Sequence, residues 1–185
     1  MAKYNLDPIA DNCYPYTSVL INKFNIQDED KLLEVEIAIT QLAAASWELS
    51  PLNTSFDFEH YKAIHHHLFH EIYEWAGQVR TVNISKRRTF FCSVDKLDDQ
   101  AKRIFNRLKK ANYLKGLNKD DFTSEFIQLY EITNYLHPFR DGNGRAQRLF
   151  LAQLARNAGF SLDFADMDVD DLMIATIQSS QGEYS

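Results

Sequence analysis

Apolar positions recur at three- and four-residue spacing along most of the chain, the period of helices that bury one face. Residues 29–48 carry Leu32, Leu33, Val35, Ile37, Ile39, Leu42 and Ala43 in this rhythm, and Ser50-Pro51 stops it. Residues 57–75 repeat it through Phe58, Tyr61, Ile64, Leu68, Ile72 and Trp75, with Ala76-Gly77 as closure. A third helix is predicted from Ser93 or Val94 to about Leu114, on Leu97, Ala101, Ile104, Phe105 and Leu108. The stripe Phe122, Phe126, Leu129, Thr133 and Leu136 predicts a fourth over 119–136, with Asp120, Asp121 and Glu125 near its positive end and Pro138 halting it. A fifth starts near Asn143, runs through Leu149, Phe150, Leu151, Leu154 and Ala155, and ends at Gly159; residues 169–179 read as helical too.

Between Gly77 and Val94 the period changes. Val79, Thr81, Val82, Ile84, Thr89, Phe90, Phe91 and Val94 are strand formers, interrupted by Ser85-Lys86-Arg87-Arg88. This predicts a hairpin at 78–94, the one β element expected. Residues 1–28 are polar and turn-rich, with a short helix expected over 17–24. With no repeat, low-complexity tract or linker, residues 1–185 read as one mostly α domain carrying a single inserted hairpin.

Composition narrows the function. A chain of 185 residues, 45% hydrophobic and 25% charged, is globular, and 13 Phe with 9 Tyr predict an aromatic core. The net charge of -6 argues against a general nucleic-acid binder while leaving room for a local basic pocket. Cys13 and Cys92 lack CxxC spacing, which argues against a disulfide framework and a thiolate zinc site. No run of eighteen apolar residues and no apolar leader-like stretch at the N-terminus occur, so the expected compartment is the cytoplasm, away from the membrane.

The chemistry concentrates at residues 137–148, His-Pro-Phe-Arg-Asp-Gly-Asn-Gly-Arg-Ala-Gln-Arg. A helix ends at His137, a tight glycine turn follows, and another helix begins at once. Gly142 and Gly144 permit backbone conformations that let N–H groups converge, and the new helix adds unpaired N–H groups and a positive dipole end. Arg145 and Arg148, three apart, share a helical face and can grip phosphates in bidentate fashion. Asp141 beside such a nest makes sense if Mg²⁺ bridges its carboxylate to the phosphates. His137 stands at the rim, with an ordinary pKa near ~6.5, suited to taking a proton from an attacking hydroxyl. Base, metal and anion hole together describe phosphoryl-type transfer.

These residues match H-x-F-x-[DE]-G-N-G-R-x-x-R at every specified position, and the chain resembles the Fic family. A chance match is on the order of 10⁻¹¹ per site, which makes coincidence a poor explanation. Residues 75–86, Trp-Ala-Gly-Gln-Val-Arg-Thr-Val-Asn-Ile-Ser-Lys, resemble the family's lead-in to its flap, and the chain from about Tyr14 onward is similar to short stand-alone toxin-type members. The resemblance implies a Fic fold: a helical bundle with the motif at a helix-loop-helix and one hairpin flap. It implies transfer of AMP from ATP to a Ser, Thr or Tyr hydroxyl of a target protein. His137 would then be the general base and Asp141 the Mg²⁺ ligand. Gly142, Asn143, Gly144, Arg145 and Arg148 would hold the nucleotide, while Phe139 anchors the loop. Ile84, Ser85, Lys86, Phe90 and Phe91 would form the flap that docks the target by main-chain pairing. Neither end offers the inhibitory [ST]-x-x-x-E-[GN] segment in usable form: Thr40 and Ser46 lack the glutamate, and Glu183 of Ser179-Ser-Gln-Gly-Glu is followed by Tyr184. The resemblance therefore implies a separate small antitoxin as inhibitor and DNA gyrase or topoisomerase IV as target.

Three alternatives remain open at this stage. One is another phosphoryl-type transfer in the same fold. The second is a non-catalytic nucleotide-binding module, and the third a hydrolase with zinc on His66 and His70, four apart on one face. The histidines at 65, 66, 67 and 70 read better as surface or structural groups, and Lys86-Arg87-Arg88 as a solvated hairpin tip.

Overall fold

The computed structural model describes residues 4–6, 12–49, 55–86 and 89–162. Five helices are α1 (Glu29–Leu49), α2 (Phe58–Phe69), α3 (Leu97–Lys110), α4 (Lys119–Leu136) and α5 (Asn143–Ala158). Three short strands, β1 (Tyr4–Leu6), β2 (Ile84–Lys86) and β3 (Thr89–Phe90), form an antiparallel sheet in that order.

Short polar side chains start α2 and α4 by accepting otherwise orphaned N–H groups. Asp57 caps α2 through His60 N at 2.8 Å, and Asn118 caps α4 through Asp121 N at 3.0 Å. Gly159 closes α5 in the left-handed region at φ 91°. The amphipathic stripes then decide the packing. Helix α2 lies against both α1 and α5, and α3 and α4 pack on each other at the side. The centre is aromatic, as composition suggests: Phe150 meets Tyr61 edge-on at 5.3 Å and Phe105 at 5.8 Å. Such pairs add roughly 0.5–1.5 kcal/mol each beyond their buried area. No helix among the described residues is long and apolar enough to cross a membrane.

Four expectations need correction. Residues 17–24 are not helical; they turn, with one bridge between Cys13 and Leu20. The buried Asn22 carboxamide takes over the local backbone, bonding Leu20 O, Ile26 O and Ile26 N at 3.0, 2.7 and 3.0 Å, which competes with a helical ladder. Helix α2 stops at Phe69, not at residue 75, because the chain tightens into turns with Ile72 N on Phe69 O. Ile72 and Ala76 stay buried there, so an apolar rhythm survived the loss of the helix. The third helix is broken: a 3-10 turn precedes α3, and Asn112, Tyr113 and Leu114 all have positive φ after it. Finally, the hairpin is not the sole β element, since Tyr4, Asn5 and Leu6 pair with Lys86, Ser85 and Ile84. The expected helix at 169–179, Glu183, and Arg87-Arg88 of the hairpin tip lie outside the described residues.

Candidate active site

Helix α4 ends where Pro138 forbids its continuation, and His137 caps it in the left-handed region at φ 41°, ψ 60°. That conformation is unfavourable for a residue with a Cβ and persists only when its surroundings impose it. Here they do. Arg80 donates from Nε to His137 O at 2.8 Å, and its own N–H bonds Pro138 O at 2.8 Å. The Phe91 ring stacks on the imidazole at 3.7 Å and 16°. Nδ1 lies 3.2 Å from Asn134 O; a carbonyl only accepts, so Nδ1 carries the hydrogen and Nε2 the lone pair. Burial holds the His137 pKa down to about 3, reinforced by the Arg80 and Lys86 charges against the opposing Asn134 hydrogen bond. The ordinary value near ~6.5 expected from sequence is thus displaced. His137 is neutral across physiological pH.

The turn beyond it is held from inside. Phe139 is fully buried and stacks on His65 at 3.8 Å. Asn143 clamps the Phe139 backbone, accepting from its N–H and donating to its carbonyl, both at 2.8 Å. Its side chain is thereby a staple for the loop, with both amide ends engaged by the Phe139 backbone. Gly142 has φ 74°, and a Cβ there would sit 2.4 Å from the Phe69 ring, so no other residue fits. His65 accepts from Gly77 N at 2.9 Å through Nδ1, which leaves Nε2–H to donate to Asp141 O at 2.9 Å. Burial lowers its pKa to about 3 despite the Asp141 carbonyl, so this bridge stays in one tautomer. The half-buried Asp141 carboxylate accepts from Gly142 N at 2.6 Å through Oδ1. Oδ2 accepts no hydrogen bond from the described residues. One carboxylate next to an anion site suits Mg²⁺, which takes one or two carboxylates plus substrate phosphates. Among the described residues no group of three or more acidic, His or Cys side chains could form a protein cage for a metal.

Helix α5 starts at Asn143 with no side-chain cap, so its first N–H groups and dipole end are available to an anion. The two arginines differ sharply. Arg145 donates to Glu36 of α1 at 2.7 Å, lies 3.5 Å from Thr40 Oγ1, and covers the Phe69 ring at 4.5 Å. Arg148 has no carboxylate partner among the described residues, and its Nη1 packs where a Cβ on Gly144 would come within 3.2 Å. Burial, followed by Arg145's charge, pulls its pKa down against Tyr130. A half-buried cation with no carboxylate partner among the described residues, beside a helix start, suits an anion.

The family model described as Fic/DOC matches residues 55–155, over half the chain. The chain belongs to the Fic/DOC family. It is 37% identical over 99% of its length, and 94% of the relative's, to a Sinorhizobium fredii protein named "Probable protein adenylyltransferase y4lH". It is 35% identical to protein adenylyltransferase VbhT of Bartonella schoenbuchensis, covering 98% of this chain but 38% of that one. Among solved structures, BepC of Bartonella tribocorum with bound AMPPNP superposes with TM-score 0.87 at 28% identity, covering 94% and 90% of the two chains.

In this Fic domain the hairpin lies directly over His137. Ile84 is buried, Ser85 and Lys86 are half-buried in the strand, and Phe90 is 78% exposed while Phe91 turns inward onto His137. Strand alternation thus separates an outward aromatic from an inward one. Arg80 ties flap to loop, its guanidinium donating to Val82 O, Cys92 O and His137 O. His66 and His70 stack at 5.1 Å, but His70 Nε2 is engaged by Glu71 at 3.0 Å, and among the described residues no metal-binding group of three forms around them. Sequence reasoning passed over Arg80, Glu36 and Tyr73. Glu36 had a signal: it stands with Leu32, Thr40 and Trp47 on the buried stripe of α1, an odd place for a carboxylate.

Proposed function

We propose that this protein transfers AMP from ATP to a Ser, Thr or Tyr hydroxyl of a target protein. The observation that carries the reading is a neutral imidazole with its lone pair on Nε2, at one end of a turn whose other end is an uncapped helix start beside the unbalanced Arg148. The N–H groups of Gly144 and its neighbours with Arg148 would bind the phosphates, and Asp141 would hold Mg²⁺, which supplies charge neutralisation there. His137 Nε2 would take the proton of the target hydroxyl as its oxygen bonds the α-phosphorus. The bond from that phosphorus to the bridging oxygen breaks, and pyrophosphate leaves. Phe90 and the main chain of β3 would meet the target, with Phe91 keeping the imidazole in register from beneath.

Transfer of the γ-phosphoryl group is the nearest rival; the family resemblance favours the α-position, because the phosphorylating relatives depart from the motif's second glycine, which stands here as Gly144. The target class taken from the family resemblance is the type II topoisomerases, gyrase and topoisomerase IV. Inhibition by a separate small antitoxin is likewise taken from the family resemblance, and the compartment proposed for the reaction is the cytoplasm. Mass spectrometry of bacterial lysate treated with the protein and ATP tests the reaction. AMP adducts on hydroxyl side chains, lost with His137→Ala, are the expected result; phosphate adducts alone would contradict it.

A further inference from the structure

Glu36 sits on the second turn of α1, far from the motif in sequence, yet its side chain is 9% exposed and ends at the motif's first arginine. A carboxylate this deep requires partners for both oxygens. It has them. Oε2 accepts from Arg145 Nη2 at 2.7 Å, and Oε1 accepts from the hydroxyl of Tyr73 in the turn after α2. The Tyr73 pKa is pushed up, first by burial and then by this carboxylate, so the hydroxyl stays protonated and remains a donor.

Thr40, one turn along α1, completes the frame. Its Oγ1 donates to Glu36 O at 2.7 Å, which turns a lone pair toward Arg145 Nη1 at 3.5 Å. Beneath the guanidinium lies Phe69, the same ring that closes on Gly142. Carboxylate and hydroxyl from α1 and the ring from α2 thus fix Arg145 in plane and in rotation, while Tyr73, in the turn after α2, holds the carboxylate itself. A guanidinium has five N–H donors in a rigid fork. Glu36 and Thr40 occupy two of them, on the side facing α1, which leaves the others for a further acceptor.

We propose that Glu36 is a positioning residue for phosphate transfer: with Tyr73 and Thr40 it locks Arg145 so that its remaining N–H groups meet the nucleotide in one orientation. The proposal rests on the adenylyltransferase reading and extends it to α1, outside the motif. Two effects of removing Glu36 oppose each other in ground-state binding. A negative charge near the phosphates is lost, which favours the nucleotide, while Arg145 gains freedom, which disfavours it. In the transfer step only the second operates, because misplacement of about 1 Å can slow a reaction on the order of 10²-fold.

The test combines Glu36→Gln and Tyr73→Phe, which keep side-chain shape, with Glu36→Ala. AMPPNP affinity is read by calorimetry, and transfer from α-labelled ATP to lysate protein is read at saturating ATP. Rates are divided by the folded fraction from denaturant unfolding. Glu36→Gln should slow transfer about tenfold or more while AMPPNP affinity changes less than about threefold, with Tyr73→Phe between it and the wild type. Glu36→Ala in an Arg145→Ala background should add nothing further to the loss of rate. Transfer at the wild-type rate by Glu36→Gln would overturn the assignment, as would faster transfer with tighter AMPPNP binding, the mark of a competing anion. A wild type that binds AMPPNP but transfers no α-label would instead defeat the proposed reaction itself.

Discussion

Two buried imidazoles, His65 and His137, make a measurable acid liability. Both have folded pKa values held down to about 3 by burial, against about 6.5 in an unfolded chain. A depressed folded pKa means that the unfolded chain takes up protons the folded one refuses. Stability is therefore complete above pH 6.5 and is lost as pH falls toward 3. Between pH 7.5 and 5.5 each group removes about 1.4 kcal/mol, roughly 2.8 kcal/mol for the pair, and the figure holds for any folded pKa well below 5.5. Urea unfolding followed by circular dichroism at the two pH values measures the drop in the wild type, His65→Gln and His137→Asn. Each variant starts from its own stability, so the comparison is of drops, and carboxylate contributions common to all three cancel. Each variant should lose about 1.4 kcal/mol less than the wild type. A variant whose drop equals the wild type's would show that its imidazole titrates normally in the folded protein, refuting the burial and tautomer argument for that residue.

Other consequences concern the loop and its anchors. Arg80→Met strips a donor from the carbonyls of Val82, Cys92 and His137; at about 1–3 kcal/mol each, thermal unfolding should reveal at least about 3 kcal/mol lost. Arg80→Lys should restore less than half of it, because one ammonium cannot reproduce the fork. Gly142→Ala places a methyl 2.4 Å from Phe69 at positive φ, and denaturant unfolding should show a loss above about 2 kcal/mol. Gly144→Ala has a helical backbone and meets only the flexible end of Arg148, so its stability should stay within about 1 kcal/mol while ATP turnover falls. Arg148→Ala should lower kcat/KM for ATP by roughly 10–150-fold, the worth of a charged hydrogen bond, without an equal loss of folding stability.

Much of this was legible because helical periodicity and caps are local properties. The stripe from Phe122 to Leu136 and the glycine ending α5 read the same in sequence and in space. The turn of the candidate site was legible for another reason: glycine at positive φ and a proline stop are demands of the turn itself. What could not be read were decisions made at a distance. Asn22 diverts residues 17–24 from helix through its own carboxamide, and Tyr4–Leu6 become a strand only because β2 offers an edge. Likewise Arg145 meets Glu36 across 109 positions. Spacing alone assigned both arginines to phosphate, whereas packing gives Arg145 a carboxylate and gives Arg148 none among the described residues. The imidazole pKa belongs to the same class, since its causes are burial first and then the Arg80 and Lys86 charges, brought together by the fold.

The most direct measurement compares α-labelled with γ-labelled ATP, using wild type and His137→Ala on the same lysate. Label entering protein from the α-position alone, and only with His137 present, is the predicted result. Label from the γ-position alone, or α-label transferred as well by His137→Ala as by the wild type, would contradict the account.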